Sequence, residues 1–259
     1  MLNWFGPKCP VDGETKRWVD AAFGWLIEEM GLDTLRSIVA VLPTEEYFPD
    51  AFDGSEVSIR KMVERVCEYM DVEPASIDLR FYQGGRADRL HPLAADGSGG
   101  CGAAGTYRSG EGNRHIISLD RDHAANPELL VATIAHELAH VILLGEERLD
   151  PEDPDQEQMT DLLTVFYGFG IFNANSSFVF EQWTNSQYQG WQAGSAGYLS
   201  EEEFGYALAL FAYVKGDSAA TWKSFLKTNI RSHFKSALKY IEKTGDTPIL
   251  KAVASGDEI

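Results

Sequence analysis

Positive charge is scarce in this sequence. Its 259 residues carry 22 Lys and Arg against 40 Asp and Glu, a formal net charge of −18. Nucleic-acid binding needs clustered cations that neutralise phosphates and release counterions, so no nucleic-acid partner is expected. An anionic membrane surface is disfavoured on the same grounds. Cysteine is sparse too: Cys9, Cys67 and Cys101 are widely spaced and form no CxxC pair. Three thiols without pairing logic exclude a disulfide framework and a ribbon-type zinc site, and they point to a reducing compartment. Residues 1–8 lack the basic segment and apolar run of a signal peptide, and no stretch is read as long enough to span a membrane. These absences describe a globular cytoplasmic chain with no membrane partner, its oligomeric state open.

A hydrophobic content of 44% is ample for one full core, and the apolar residues fall into patterned runs. Trp18, Val19, Ala22, Phe23, Leu26, Ile27 and Met30 recur at helical spacing, with Gly31 as a stop. Ile59, Met62, Val63, Val66, Cys67 and Met70 form a second helical stripe. From Ile77 the period changes to two, with Ile77, Leu79 and Phe81 alternating with polar neighbours as in a half-buried strand. A long loop over 83–102 and two short strands over 103–108 and 115–119, joined by a hairpin turn, follow.

Asn126-Pro127-Glu128 is a helix start: a capping side chain, Pro at the first helical position, then an acid in the first turn. That helix is predicted to reach about Leu144, with Gly145 ending it. Asp153-Pro154-Asp155-Gln156 repeats the signature, with Gln156 placed to complete a capping box before a second helix that runs to about Tyr167. The segment 168–197, rich in Gly, Asn and aromatics, reads as a long loop laid on the core. Its Trp183, Tyr188 and Trp191 are an alternative lining for a substrate groove. Two helices close the chain, over 200–215 and 218–243, with Gly216 and Gly245 as stops. The pattern divides into an N-terminal helical region (1–74), a core (75–197) and C-terminal helices packed on it (198–259). The fold class is α+β, mainly helical, with a small β-sheet beside the central helix.

That central helix carries His136-Glu137-Leu138-Ala139-His140, an HExxH pattern. Two His four residues apart stack one turn apart on one helix face, so both imidazoles can reach one metal ion. The Glu between them is rotated about a third of a turn, placing it beside the metal as a base rather than on it. The neighbours of the motif, from Leu129 through Leu144, are apolar nearly all round, as in a buried helix. Two His and a Glu are costly to bury unpaired, and a metal ion satisfies all three together. Catalytic zinc usually takes three protein ligands and keeps one position open. Downstream, Glu157-Gln158-Met159-Thr160-Asp161 reads ExxxD: Glu157 suits the third ligand, and Asp161, on the same face, suits an acceptor for the ring N–H of a ligand His.

With both pieces in place, the sequence resembles the gluzincin metallopeptidases, which share HExxH followed by a Glu ligand on a second helix, often within ExxxD. The resemblance covers 103–168, and its separation between His140 and Glu157 is short for that family. The metzincin pattern HExxHxxGxxH fails, because Leu143 and Glu146 stand where Gly and a third His are required. The resemblance implies a zincin-like core in which the strand at 115–119 belongs to a small sheet flanking the active-site helix. An edge of that sheet would hold an extended peptide.

The activity expected is peptide-bond hydrolysis of a peptide or protein substrate. Zn²⁺ on His136, His140 and Glu157 would work with Glu137 as the general base. Tyr198, Tyr206, Arg108 and His115 are candidate donors to the oxyanion, and Tyr198 is chosen because its glycine-rich setting suits a segment lying over the cleft. The competing expectation is a catalytically inactive zincin-like protein that binds metal and a partner peptide.

Overall fold

A computed structural model describes residues 6–82, 105–112, 114–185 and 198–249. Cys101, Tyr188, Trp191 and the loop expected over 83–102 lie outside the described residues. The fold is α+β and mostly helical, as the periodicities indicate, with a small three-stranded mixed sheet. The chain groups into two compact units. One is drawn from Met1–Leu42, Asp161–Asn175 and Leu199–Ile259, the other from Pro43–Thr160 and Ser176–Tyr198. These do not coincide with the three regions 1–74, 75–197 and 198–259 read from the sequence.

The first unit is helical. Helix α1 (Gly13–Met30) starts where Asp12 accepts the amides of Glu14 and Thr15 at 2.8 and 3.0 Å, and it stops at Gly31, whose φ of 91° suits glycine. A short helix α2 (Leu32–Ser37) follows. Near the C-terminus, α7 (Glu201–Val214) opens with a capping box between Ser200 and Glu203, and α8 (Thr228–Thr244) closes with Gly245 in the left-handed region. Val19, Phe23, Leu26, Phe204, Phe211, Ile230, Phe234 and Ile241 are all essentially inaccessible and form its core.

Two expectations are corrected here. The last helix begins at Thr228 rather than at 218, because Asp217 folds the preceding segment into a 3₁₀ turn. Its carboxylate accepts the Ala220 amide at 2.8 Å and the Trp222 indole N–H at 2.9 Å, and the Trp222 ring packs 5.0 Å from Phe234. The supposed loop from 168 onward instead contains a helix, α6 (Gly170–Asn185), which includes Trp183. Asn and Ser are poor helix formers, each costing about half a kcal/mol relative to Ala. Burial of Ile171, Phe172 and Ala174 outweighs that cost, since one buried apolar side chain contributes roughly 1.5–3 kcal/mol. Gly170 permits the close approach: a Cβ there would stand 2.8 Å from Leu208 Cδ2.

The second unit holds the sheet and the HExxH helix. Helix α3 (Glu56–Met70) is capped by Ser55 and buries the stripe Ile59, Met62, Val63, Val66, Cys67 and Met70. Strands β1 (Ile77–Tyr82), β2 (Gly105–Ser109) and β3 (His115–Asp120) form a sheet of order β1-β3-β2, with β1 parallel and β2 antiparallel to β3. The register pairs Ile77, Leu79 and Phe81 with His115, Ile117 and Leu119, and these with Ser109, Tyr107 and Gly105. By strand alternation all nine share one face. Helix α4 (Pro127–His140) lies against α3 and β2. Asn126 caps it through the Leu129 amide at 3.2 Å, and a π-helical turn (Val141–Gly145) extends it.

The stretch Pro127–Gly145 overturns one expectation: by length and composition it is apolar enough to cross a membrane. Its most apolar window is 83% buried inside the protein, the condition of a core helix.

Candidate metal centre

The site is assembled by two helices. Helix α4 carries His136, Glu137 and His140, each less than a tenth exposed. Helix α5 (Gln156–Phe166) brings Glu157 in its first turn. Glu157 Oε2 lies 3.1 Å from His136 Nε2 and 3.7 Å from His140 Nε2, and one ligand atom from each of the three residues lies within 4.8 Å of the others. Tetrahedral ligands at bond lengths of about 2.1 Å sit roughly 3.4 Å apart. The two measured separations bracket that value.

Donor chemistry agrees with the distances. Burial drives His140 down to about 4, with Glu157 pulling it up and His136 pushing it further down, so its imidazole is neutral at pH 7. Burial raises Glu157, but the hydrogen bond from His136 and the His140 and His136 charges overcome it and hold the carboxyl at about 2. Two imidazoles, that of His140 neutral at pH 7, and the Glu157 carboxylate therefore lie close together, a set that can hold a metal ion. Glu137 is the opposite case. Burial pushes its carboxyl up to about 8, with His136 lowering it and Glu157 raising it. A cation between the ligands acts on Glu137 in the direction of ionisation.

Glu137 is seated by the sheet. A Cβ on Gly105 of β2 would come within 2.8 Å of Glu137 Oε1 and 2.6 Å of Thr133 Cγ2, so only glycine lets the strand lie this close to the helix. The end of the π-helical turn is equally tight, where a Cβ on Gly145 would stand 2.5 Å from His115 Cε1 and 3.1 Å from the Tyr107 hydroxyl.

The candidate oxyanion donors separate clearly. Tyr198 is half-buried, and its ring centroid is 5.5 Å from that of His136. Tyr206 is buried in the helical unit, where its hydroxyl donates to Asp20 at 3.0 Å. His115 faces the Tyr107 hydroxyl through Nδ1 at 3.3 Å, and burial lowers its basicity. Arg108 alternates onto the sheet face opposite Tyr107. Asp161 is buried and accepts the Leu199 amide at 3.0 Å, anchoring the chain one residue beyond Tyr198.

Three neighbours of the cluster escaped the motif reading. Thr160 Oγ1 lies 3.2 Å from His140 Nδ1, and the Gln156 carboxamide nitrogen lies 3.3 Å from the same atom. Gln156 was expected to close a capping box, but its side chain turns toward His140. Tyr107 stacks on His140 with centroids 6.0 Å apart and planes 17° from parallel. Helical spacing carried a signal for Thr160, which sits three residues after Glu157 on a shared face. Strand alternation carried one for Tyr107, two residues from Gly105. No protein family, curated protein or solved structure matches this chain. What the residues themselves establish is a buried His-His-Glu cluster with a second Glu beside it, compatible with an HExxH-type metal site.

Proposed function

We propose that this chain is a zinc-dependent metallopeptidase of gluzincin type that hydrolyses peptide bonds in a peptide or protein substrate. The observation that carries the reading is the convergence of buried His136 and His140 with half-buried Glu157, and a further carboxyl, the buried Glu137, next to them. A metal-storage or structural site has no use for that second carboxyl. Zinc held by these three residues supplies Lewis acidity, polarising a scissile carbonyl and acidifying water. Glu137 takes one proton from the attacking water as the oxygen–carbon bond forms, and delivers it to the leaving nitrogen as the carbon–nitrogen bond breaks. Low-dielectric surroundings favour a neutral Glu137 between those two transfers. Tyr198, whose ring lies 5.5 Å from that of His136, is the residue assigned to donate a hydroxyl to the oxyanion. Strand β2 has β3 on one side only among the described residues, and its other edge suits an extended substrate backbone. The free thiols of Cys9 and Cys67 fit a cytoplasmic setting.

Zinc content of the purified protein, wild type beside His140→Ala, tests the metal. About one zinc per chain, lost in the variant, is expected for a three-ligand site. A peptide-library digest comparing wild type with Glu137→Gln then tests the chemistry. Cleavage that vanishes while zinc stays bound is the expected result. Zinc binding without cleavage by either protein would leave a metal-dependent binding module in place of a peptidase.

A further inference from the structure

His140 is held at both ring nitrogens, and the two contacts have different consequences. Nε2 faces Glu157 Oε2 at 3.7 Å, whereas Nδ1 faces Thr160 Oγ1 at 3.2 Å. A hydroxyl has one hydrogen, and Thr160 donates it to the Gln156 carbonyl at 2.8 Å. Its oxygen is left as an acceptor, and the only hydrogen His140 can offer it is one on Nδ1. Neutral imidazole carries a single N–H, so a proton on Nδ1 leaves a lone pair on Nε2.

We propose that Thr160 is a positioning residue for metal binding: the relay from His140 Nδ1–H to Thr160 Oγ1–H to the Gln156 carbonyl fixes the tautomer that turns the Nε2 lone pair toward Glu157. The inference rests on the metal-site reading and deepens it. The relay ends on the first turn of α5, the turn that also carries Glu157. One stretch of backbone therefore sets both the third ligand and the orientation of the second, so the ligands are matched before any ion arrives.

A competing arrangement exists in the same place. Donation from the Gln156 amide nitrogen, 3.3 Å from Nδ1, would move the proton to Nε2 and block the ligand position. Thr160 prevails because it is completely buried, with its own hydrogen already committed, and its oxygen would lose its acceptor role without Nδ1–H. Rotation of the Gln156 amide presents its oxygen to the same N–H. The Tyr107 face and the perpendicular His136 ring, 4.8 Å away, restrict the imidazole from the remaining sides.

The test reads tautomer and affinity separately. Long-range ¹H–¹⁵N spectra of histidine-labelled, chelator-treated protein at neutral pH are expected to show His140 as Nδ1–H in wild type and Thr160→Ser. In Thr160→Val the population is expected to shift toward Nε2–H. Zinc competition with a chromophoric chelator is expected to show Thr160→Val weakened about 10- to 100-fold, and Thr160→Ser within about threefold of wild type. An Nε2–H signal for His140 in the wild type overturns the proposal. So does a Thr160→Val protein with wild-type tautomer and affinity. If Thr160→Val does not fold, the wild-type spectrum still decides the tautomer and Thr160→Ala supplies the affinity. Failure of the metal reading looks different: wild type and His140→Ala would both bind no zinc, while the metal-free spectrum would still report the relay.

Discussion

Two buried polar clusters in this molecule solve opposite problems. In the helical unit, Asp20 is 2% exposed and its two oxygens take three donors: Lys16 Nζ at 2.8 Å, Tyr206 at 3.0 Å and Thr247 at 2.9 Å. Acceptor meets donor at every contact, and charge meets opposite charge, so the cluster is closed on itself. Around α4, two imidazoles and the Glu157 carboxylate come within 4.8 Å of one another, with the buried carboxyl of Glu137 beside them. Such a set can hold a cation. The contrast separates polar burial that holds a fold together from polar burial that can hold a metal ion.

Glu137→Gln drives the two clusters furthest apart. Loss of a general base is expected to lower turnover by about 10²–10⁴-fold with zinc content unchanged, as measured by peptide cleavage and metal analysis. Turnover within a few-fold of wild type would remove Glu137 from the chemistry.

Asp20→Ala is the reverse experiment. It strands the buried Lys16 ammonium and is expected to cost roughly 3–5 kcal/mol of stability in urea unfolding, leaving zinc stoichiometry intact. A loss of zinc in the folded variant would show that the two clusters are coupled.

In the metal-free protein, Glu137 opposes folding. Its carboxyl is raised from 4.5 to about 8 in the folded state. The unfolded chain therefore loses this proton first, and the stability present below pH 4.5 is lost as pH rises through about 8. Chelated Glu137→Gln is expected to match chelated wild type near pH 4.5 and to exceed it by about 2–4 kcal/mol near pH 8. Parallel stability profiles for the two proteins would mean that Glu137 is not buried as the neutral acid.

Gly105→Ala gives the smallest effect. The added methyl meets Thr133 and Glu137, and overpacking of this kind costs about 1–3 kcal/mol. Because one of the displaced side chains is Glu137, the proposed base, turnover is expected to fall more than zinc affinity does. Equal losses in both would point to a general loosening of the sheet against α4.

Much of the site was legible because its logic is local. His136 and His140 share a face through helical geometry alone, the Asn126 cap announces where that face begins, and Glu157 follows from the need for a third ligand. Tyr198 lies with its ring 5.5 Å from that of His136, whereas Tyr206 donates its hydroxyl to Asp20. Nothing near Tyr206 in the chain reveals that its hydroxyl belongs to Asp20, 186 residues away. Residues 170–185 looked like loop because Asn, Ser and Gly are weak helix formers, and only burial against partners distant in sequence reverses that preference.

The sequence by itself determined the periods: which residues lie on one helix face, where caps and stops fall, and that a His-Glu-His face sits inside an apolar helix. These follow from backbone geometry repeating every few residues. Only the tertiary structure decided which faces meet. It brought Gly105 against Glu137, the Tyr107 ring against His140, and the Thr160 hydroxyl to His140 Nδ1. Those meetings depend on the shapes and volumes of whole elements packing together, and no short window of residues contains that information.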